Sequence, residues 1–498
     1  MKKIVLPLAE AARKFPKVIA VVSDEESISY QELDQRVRNI QPYFESKNVK
    51  SKNRVAALGN NTVEQIIFLW ALWRIGAVAC LLNARWPKQA IGKQIKKLHC
   101  SHFIKEKSLE AEVRNVEIIP PPSPNPSLSA RQAGQQGRGI FLDDRYSLSL
   151  AGRTGEGGEK IALNQLATIL LTSGSSADPK AVVHTFGNHY FNAKGSQENI
   201  PLQPGDRWLL SLPLYHVSGL SILFRTVLAG AGIVVAQAKE DWGKIIRKQA
   251  VTHVSLVPTQ LFRLLQEKKN IAILRNLKTI LLGGGPIPEG LIKQARRYHL
   301  PVRMTYGLTE MGSQVATSKE FLGKAKVLKY RRVRISPQQE ILVKGETLFK
   351  GYYERGKMIL SLKRGGWFAT GDLGTLDKQG SLTVKGRKDN MFISGGENIY
   401  PEEIEKYLLE IKGMEEAVVV PMADAEFGQR PAAFIKVTAG KGISQSALRL
   451  FLQSRLPSYK IPQKFFIGSF NSQWTGMKIN RQDFVRLLQK KFFLKELP

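Results

Sequence analysis

A short loop rich in hydroxyl groups and glycine is the first candidate for chemistry in this sequence. The segment T-S-G-S-S-A-D-P-K, residues 172–180, directly follows the apolar run Ile169–Leu171. Hydroxyl groups and backbone N–H groups at such a turn can donate to the oxygens of an anion, and Gly174 permits close approach. Lys180 adds a positive charge. The Walker spacing G-x-x-x-x-G-K-[ST] is absent, and an ordinary Ser- and Gly-rich turn is the alternative interpretation.

Three further short motifs offer groups that suit a nucleotide. T-Y-G-L-T-E places the Thr309 hydroxyl beside the Glu310 carboxylate, and Mg²⁺ prefers oxygen ligands that it shares with phosphates. T-G-D-L-G provides Asp372 as an acceptor for ribose hydroxyls, and G-G-G-P at 283–286 provides a bare backbone surface for an adenine ring. For each motif taken alone, a plain turn is the favoured interpretation.

The order of the motifs is more specific than any one of them. T-S-G…P-K, Y-G-L-T-E, T-G-D-L-G, G-R-K-D-N-M-F-I-S-G-G-E-N-I-Y-P-E-E-I-E and G-M-K-I-N-R follow one another along the chain. Over most of its length the sequence thereby resembles the adenylate-forming superfamily of acyl-CoA synthetases, luciferases and peptide-synthetase adenylation domains. W-L-L-S-L-P-L-Y-H-V-S-G, H-V-S-L-V-P-T-Q-L-F-R-L-L, L-L-G-G-G-P-I-P and A-E-F-G-Q-R-P look like the o-succinylbenzoate–CoA ligase family of menaquinone biosynthesis within it.

The resemblance implies two half-reactions and three small-molecule partners. A carboxylate attacks the α-phosphorus of ATP to give acyl-AMP and pyrophosphate, and the thiol of CoA then displaces AMP to give a thioester. ATP, Mg²⁺ and CoA are therefore expected. The protein must stabilise charge that builds up on the α-phosphate and the leaving group, which positioned cations and dipoles can do.

The resemblance also implies roles for the nucleotide-binding residues. Six residues would hold the β- and γ-phosphates: Thr172, Ser173, Gly174, Ser175, Ser176 and Lys180. Five more would line the AMP site: Gly283, Gly284, Gly285, Tyr306 and Gly307. Thr309 would contact a phosphate, Glu310 would bind Mg²⁺, and Asp372 and Arg387 would hold the ribose. Lys478 matches the lysine that bridges the attacking carboxylate and the α-phosphate, and a surface lysine is its alternative.

The remaining expected roles concern the acyl group, CoA and a hinge. His216 would gate the acyl pocket, with Ser218 and Arg225 beside the carboxylate that is not activated; a helix-surface charge is the alternative for Arg225. Asp389 would be the hinge of a small domain, and Gly395 and Gly396 would let pantetheine pass. The phosphate loop departs from the superfamily at Ala177 and Ala181, where glycine is frequent. The resemblance therefore does not decide the conformation of the outer turn of this loop.

Composition limits the remaining classes of function. The formal charge is +32, but the basic residues are dispersed and no nucleic-acid-binding motif is recognised, so dedicated nucleic-acid binding is not expected. The two cysteines, Cys80 and Cys100, predict reduced buried thiols. Pro7 and Glu10 interrupt any signal-peptide core, and no uncharged run suits a transmembrane helix. A cytoplasmic location is the expectation, and a homo-oligomer is compatible with the sequence.

The elements that must position these motifs indicate an α/β protein of two domains. Short apolar runs alternate with helical patterns, which indicates parallel sheets covered by helices. The predicted strands are Ile169–Leu171, Trp208–Leu212, Ile233–Ala236, Val254–Val257 and Thr279–Leu282. Predicted helices include 63–78, 260–266, 290–298 and one that begins at Pro401. A large N-terminal domain at 1–386, with a loop-rich insertion at about 120–160, would precede a small, mobile α+β domain at 387–498.

Three other functions stay open at this point. A ligase for another aryl or short carboxylate is the nearest. A stand-alone adenylation domain that loads a carrier protein is the next. A non-enzymatic basic binding protein would instead show salt-dependent retention on DNA and no exchange of pyrophosphate with ATP.

Overall fold

The computed structural model describes residues 2–84, 86, 88–104, 159–172, 179–236, 241–394, 397–424, 426–438, 443–468, 481–490 and 495–496. The predicted insertion at about 120–160 therefore lies almost entirely outside the described residues.

The described strands are β1 Lys3–Val5, β2 Ile19–Val22, β3 Ser27–Ser29, β4 Arg54–Leu58, β5 Val78–Leu82, β6 His102–Ile104, β7 Lys160–Ala162, β8 Leu166–Thr172, β9 Lys180–Thr185, β10 Arg207–Leu209, β11 Gly232–Val234, β12 His253–Leu256, β13 Thr279–Leu282, β14 Val302–Leu308, β15 Ser313–Ser318, β16 Ala325–Val327, β17 Arg331–Ile335, β18 Glu340–Gly345, β19 Gly351–Glu354, β20 Lys357–Ile359, β21 Phe368–Leu376, β22 Leu382–Arg387, β23 Phe392–Ser394, β24 Glu397–Ile399, β25 Met414–Asp424, β26 Gly428–Val437, β27 Lys464–Ile467 and β28 Lys495–Glu496.

The described α-helices are α1 Pro7–Lys14, α2 Tyr30–Asn39, α3 Gln41–Ser46, α4 Val63–Ile75, α5 Lys88–Lys97, α6 Phe186–Gln197, α7 Val217–Ala229, α8 Trp242–Lys248, α9 Pro258–Gln266, α10 Lys268–Arg275, α11 Glu289–Arg297, α12 Pro401–Leu408, α13 Gln445–Gln453 and α14 Arg481–Lys490. Short 3-10 turns occupy Thr309–Met311, Lys388–Asn390 and Ser458–Lys460.

Two large mixed sheets form the N-terminal part. The nine-stranded sheet has the order β16-β15-β14-β13-β12-β10-β11-β2-β3, with parallel pairing from β14 to β2 and antiparallel edges. The seven-stranded sheet has the order β20-β19-β9-β8-β5-β4-β6, in which β8, β5, β4 and β6 are parallel. Strands β9, β19 and β20 add antiparallel pairs. The prediction of parallel sheets is thus confirmed for their centres and for the β6 edge, whereas the other three edges of the two sheets are antiparallel.

A layer of apolar helices lies between these two sheets. One buried cluster contains residues of both sheets together with α4, α6 and α7. Phe224 of α7 lies at its centre, with ring centroids 4.9 Å from Trp73 and 5.3 Å from Phe186. Helix α4 is buried on nearly all sides, as expected for a helix that packs between layers. The two sheets are thereby held at a fixed separation by closely packed aromatic rings.

Two smaller units complete the fold. Strands β17, β18, β21 and β22 form an antiparallel sheet that carries T-G-D-L-G. Near the C-terminus, β25 to β28 form a four-stranded sheet, and α12 and α13 share a buried cluster with it. The described residues therefore confirm an α/β chain with a large N-terminal domain and a small C-terminal α+β unit. The boundary at 386/387 and the mobility of the small unit stay predictions.

Most observed element boundaries lie within one or two residues of the predicted ones, and two larger differences have a clear cause. Helix α4 ends at Ile75 and not at Val78, because Gly76 adopts a left-handed conformation with φ of 80° and Val78 begins β5. Strand β10 ends at Leu209, because the side-chain amide of Asn61 donates to the carbonyls of Leu210 and Leu212 in place of a neighbouring strand.

Two expectations from composition can also be compared with the structure. Cys80 is buried and Cys100 is half-buried, and both are free thiols, so only the second departs from the expected burial. None of the helices in the described part of the chain is long and apolar enough to cross a membrane.

Candidate active site

The predicted phosphate loop connects the two strands of a hairpin. Thr172 at the end of β8 pairs with Lys180 at the start of β9, and its hydroxyl lies 3.5 Å from the Lys180 carbonyl oxygen. Residues 173–178 lie outside the described residues, so the structure places only the two ends of the loop. The Lys180 ammonium group is 5.3 Å from the centroid of the Tyr352 ring, within the range of a cation–π contact.

The Thr309–Met311 turn carries the proposed magnesium ligand. The Tyr352 hydroxyl donates to Glu310 Oε1 at 2.7 Å. Burial, followed by the nearby Glu310 carboxylate, raises the pKa of Tyr352, so the phenol remains a protonated donor. Lys180, Tyr352 and Glu310 thus form a chain of contacts that runs from the hairpin to this turn.

The turn suits a magnesium ion shared with a substrate. No cluster of three or more His, Cys, Asp or Glu side chains that could hold a metal occurs within the described ranges. Mg²⁺ in nucleotide sites is typically bound through one or two carboxylates, substrate phosphates and water, and therefore does not need such a cluster. The Glu310 carboxylate at the end of β14 fits that kind of ligand set.

Asp372 is the centre of a second polar cluster. It receives hydrogen bonds from the Tyr306 hydroxyl, at 2.6 Å to Oδ2, and from the Arg387 guanidinium, at 3.1 Å to Oδ1. Burial, followed by the Asp372 charge, raises the pKa of Tyr306 well above its ordinary value. Arg387 also pairs with Asp389 at 3.1 Å. Each carboxylate oxygen can accept further hydrogen bonds, so the cluster can still accept from hydroxyls such as those of a ribose.

Two predicted glycines are required by close backbone contacts at β14. A Cβ on Gly283 would lie 2.5 Å from the Thr305 carbonyl oxygen, and one on Gly307 would lie 2.2 Å from the Ser313 carbonyl oxygen. Gly284 and Gly285 follow Gly283 and are exposed. The three-glycine segment therefore has one member packed against β14 and two on the surface.

Arg225 on α7 is a buried cation, so its alternative as a helix-surface charge is wrong. Its side chain is 2% exposed, its guanidinium carbon is 5.3 Å from the centroid of the Trp208 ring, and Nη2 donates to Ser313 Oγ at 3.3 Å. Nε has no hydrogen-bond partner among the described residues. Burial lowers the pKa of Arg225 to about 9. The buried guanidinium therefore retains donor capacity for an anion.

The other predicted acyl-site residues lie at the start of the helix that carries Arg225. His216 is the residue that precedes α7, and its ring centroid lies 4.6 Å from that of Tyr215. Ser218 lies in the first turn, where its carbonyl accepts from the Ser221 hydroxyl at 2.9 Å. Ser221 Oγ is in turn 3.4 Å from Ser313 Oγ. Polar contacts through Ser221 and Ser313 therefore connect the backbone of Ser218 to the Arg225 guanidinium.

One continuous segment joins the phosphate side of the site to the acyl side. Thr309 and Glu310 occupy the 3-10 turn, and Ser313, which contacts Arg225, begins β15 directly after Gly312. Asp389 lies in the Lys388–Asn390 turn, beside the Asp372 cluster. Lys478, Gly395 and Gly396 lie outside the described residues, so their positions stay predictions.

Sequence reasoning missed four residues that contact the predicted site. Ser313 and Trp208 contact Arg225, Tyr352 contacts Glu310, and His184 bonds to Thr309. Trp208 lies in W-L-L-S-L-P, a motif already noted for its resemblance. The contacts of Tyr352 depend on the pairing of β19 with β9, which no local pattern in G-Y-Y-E reveals.

Comparison with known proteins is consistent with this geometry over nearly the whole chain. Residues 8–353 match the AMP-binding enzyme family, and residues 403–470 match the AMP-binding enzyme C-terminal domain. A 2-succinylbenzoate–CoA ligase of Bacillus licheniformis is 34% identical over 475 residues, which cover 92% of this chain and 94% of the relative.

Solved structures of a Bacillus subtilis protein share the fold. The o-succinylbenzoate CoA synthetase MenE in complex with the acyl-adenylate OSB-AMP has a TM-score of 0.79 and 31% identity, covering 97% of this chain and 98% of that one. Its complex with ATP and magnesium ion has a TM-score of 0.77 and 30% identity, covering 94% and 96%. On these matches, the chain belongs to the AMP-binding enzyme family, with 2-succinylbenzoate–CoA ligases among its full-length relatives.

Proposed function

We infer that this chain is an ATP-dependent 2-succinylbenzoate–CoA ligase of menaquinone biosynthesis. It joins 2-succinylbenzoate to CoA through an acyl-adenylate and releases AMP and pyrophosphate. The observation that carries the choice of substrate is the buried guanidinium of Arg225, whose Nε has no described partner. A substrate with two carboxylates can place one at the reacting centre and the other beside this cation.

The adenylation half-reaction uses charge placed around the phosphates of ATP. Lys180 and the hydroxyl-rich loop bind the β- and γ-phosphates, and Thr309 donates to a phosphate oxygen. Glu310 is the ligand for Mg²⁺, which when bound neutralises phosphate charge and stabilises the pyrophosphate leaving group. Asp372 and Arg387 orient the ribose, which aligns the α-phosphorus with the attacking carboxylate oxygen.

The small C-terminal unit supplies different groups to the two half-reactions. Lys478 bridges the attacking carboxylate and the α-phosphate during adenylation. Rotation about Asp389 then replaces that lysine with the G-G-E-N segment, where Gly395 and Gly396 leave room for pantetheine. The CoA thiolate attacks the acyl carbonyl carbon and AMP leaves. Two sets of groups serve one carbonyl in turn, which is why a hinge is needed.

Arg225 would recognise the carboxylate that does not react. The pocket around α7 is largely apolar, and an unpaired carboxylate is costly to bury there. A guanidinium can pair with that carboxylate directly or through water, and a charge-assisted hydrogen bond is stronger than a neutral one. His216 and Ser218, at the start of α7, are the other residues that we assign to the acyl pocket.

The test is a panel of carboxylates assayed for CoA-dependent release of AMP. The panel contains 2-succinylbenzoate, benzoate, a short fatty acid and an analogue of 2-succinylbenzoate that lacks the ring carboxyl group. We expect 2-succinylbenzoate to give by far the highest kcat/KM. A protein that ignores it and activates benzoate or a fatty acid would be a ligase for another carboxylate. Acyl transfer to a carrier protein without transfer to CoA would identify a stand-alone adenylation domain.

A further inference from the structure

The Thr309–Met311 turn is held from outside by a hydrogen bond to each of its three carbonyl oxygens. His184 Nε2 lies 2.7 Å from the Thr309 oxygen, the Phe349 backbone N–H donates to the Glu310 oxygen at 2.8 Å, and Asn192 Nδ2 donates to the Met311 oxygen at 3.1 Å. Two of these three donors are buried side chains of the β9–α6 segment. The backbone that carries the Thr309 and Glu310 side chains is therefore fixed by the same segment that begins with Lys180.

His184 is suited to this contact by its place and its protonation state. It belongs to β9, the strand that Lys180 begins, and its side chain is 0% exposed. Burial lowers the pKa of His184 to about 4, with the bond to Thr309 acting in the opposite direction, so the ring is neutral near pH 7. A carbonyl oxygen can only accept, so Nε2 carries the proton and Nδ1 is an acceptor.

A second buried histidine and a threonine can fix that tautomer. Thr168 Oγ1 lies 3.5 Å from His184 Nδ1 and 2.8 Å from His189 Nε2. His189 can donate to the Thr168 hydroxyl, and that hydroxyl can donate to His184 Nδ1. The three hydrogen bonds then run in one direction, from His189 through Thr168 and His184 to the Thr309 carbonyl oxygen. His189 is neutral as well, because burial lowers its pKa well below the ordinary value, and its ring stacks on Phe224 at 5.0 Å.

We propose that His184 is a positioning residue for adenylation. It fixes the position of the Thr309–Glu310 turn relative to the hairpin that carries Lys180. The inference rests on the proposed function, in which Thr309, Glu310 and Lys180 act on the phosphates of ATP and on Mg²⁺. Lys180 and Glu310 have no task in thiolysis, because the β- and γ-phosphates have already left as pyrophosphate. Loss of the His184 contact should therefore impair the first half-reaction and spare the second.

The experiment compares His184→Leu with His184→Gln. Leu removes the donor and leaves the Thr309 carbonyl without its side-chain partner, whereas Gln keeps an N–H donor on a side chain of similar reach. For His184→Leu we expect the KM for MgATP to rise at least about tenfold in ATP–pyrophosphate exchange, since small displacements of a catalytic group can cost about a hundredfold. His184→Gln should restore most of the loss, and the KM for the carboxylate should stay near the wild-type value in both.

Thiolysis of supplied acyl-adenylate by CoA is the internal control. We expect both variants to retain a rate within about twofold of wild type, because a group displaced only at the phosphates does not reach the acyl carbonyl. Lys478→Ala provides a matched comparison, since it should also impair adenylation and spare thiolysis but should leave the KM for MgATP less changed. Equal losses in the two half-reactions, or no rescue by Gln, would reduce His184 to a packing residue and overturn the proposal.

Thr168→Val keeps the test decisive if His184→Leu does not fold. Val has nearly the shape of Thr and removes only the hydroxyl between the two rings. It should raise the KM for MgATP in the same direction, by less than His184→Leu, and an unchanged KM would overturn the tautomer argument. Exchange is measured with whichever carboxylate the wild type accepts. Failure to activate 2-succinylbenzoate then contradicts the proposed function and leaves the test of His184 intact.

Discussion

Arg225 is a cation held away from water. Its guanidinium contacts the Trp208 indole ring and the Ser313 hydroxyl, and it forms no ion pair with a described residue. Burial of a charge without a counter-charge destabilises the free protein, and a bound carboxylate would offset that cost. A substrate that brings a second carboxylate therefore gains more from this pocket than a monocarboxylate does. The side chain can select the substrate without contacting the reacting atoms.

Arg225→Leu tests this selection. We expect the KM for 2-succinylbenzoate to rise at least about tenfold, because a hydrogen bond to a charged group contributes roughly 1.5–3 kcal/mol. Leu should not unfold the protein, since apolar replacement of a buried charge is often neutral or stabilising. Steady-state kinetics and the midpoint of thermal unfolding measure the two effects separately.

The control for Arg225→Leu is the analogue that lacks the ring carboxyl group. Its kinetics should change little, because it has no carboxylate for the guanidinium to bind. Similar losses with both substrates would indicate damage to the pocket and would contradict the pairing assigned to Arg225.

At the scale of elements, the Lys388–Asn390 turn connects two sets of contacts. Directly before it, Arg387 bonds to Asp372 of β21; at its last residue, Asn390 Nδ2 donates to Glu402 of α12 at 2.6 Å. The Arg387–Asp389 ion pair at the turn itself is largely exposed, and such pairs contribute little. The turn is therefore anchored at both ends and only weakly held in the middle, as a hinge requires.

Asp389→Pro should separate the two half-reactions. Proline fixes φ near about −65° and removes a backbone donor, so the turn can serve only one of the two orientations. We expect one half-reaction to persist and the other to fall strongly, as measured by ATP–pyrophosphate exchange and by thiolysis of supplied acyl-adenylate. Asp389→Ala is the matched variant, and it should leave both near wild type. Normal rates for Asp389→Pro in both would place the hinge elsewhere.

Elements whose signals are local could be predicted from the sequence, and contacts between distant segments could not. The start of α12 at Pro401 and the strand Thr279–Leu282 follow from local residue types and were predicted correctly. The hydrogen bond from His184 to Thr309 joins residues 125 positions apart, on β9 and on the turn after β14, and these two strands belong to different sheets. Motif order indicated the residue types of the site, whereas the groups that position them required the tertiary fold.

At the scale of the whole molecule, the formal charge of +32 is the property that the site itself does not explain. The ion pairs of the described residues include many at the surface, such as Lys248 with Asp24 and Lys329 with Glu198. Pairs of this kind contribute little to stability, and the excess of basic residues leaves a positive field around the chain. ATP and CoA are both polyanions, so that field should raise their rate of encounter with the site.

Ionic strength should therefore act on kcat/KM for ATP and CoA more than on kcat. Between about 0.01 M and 1 M salt the Debye length falls from about 30 Å to about 3 Å, which screens exposed charge but not a bound complex. We expect kcat/KM for CoA to fall about tenfold or more over that range, at the lower end of what electrostatic steering provides. Pantetheine, which has the thiol but lacks the phosphates, is the matched substrate and should show a much weaker dependence. If CoA and pantetheine respond alike, salt acts on the protein and not on attraction of the nucleotide, and the basic surface has no part in substrate capture.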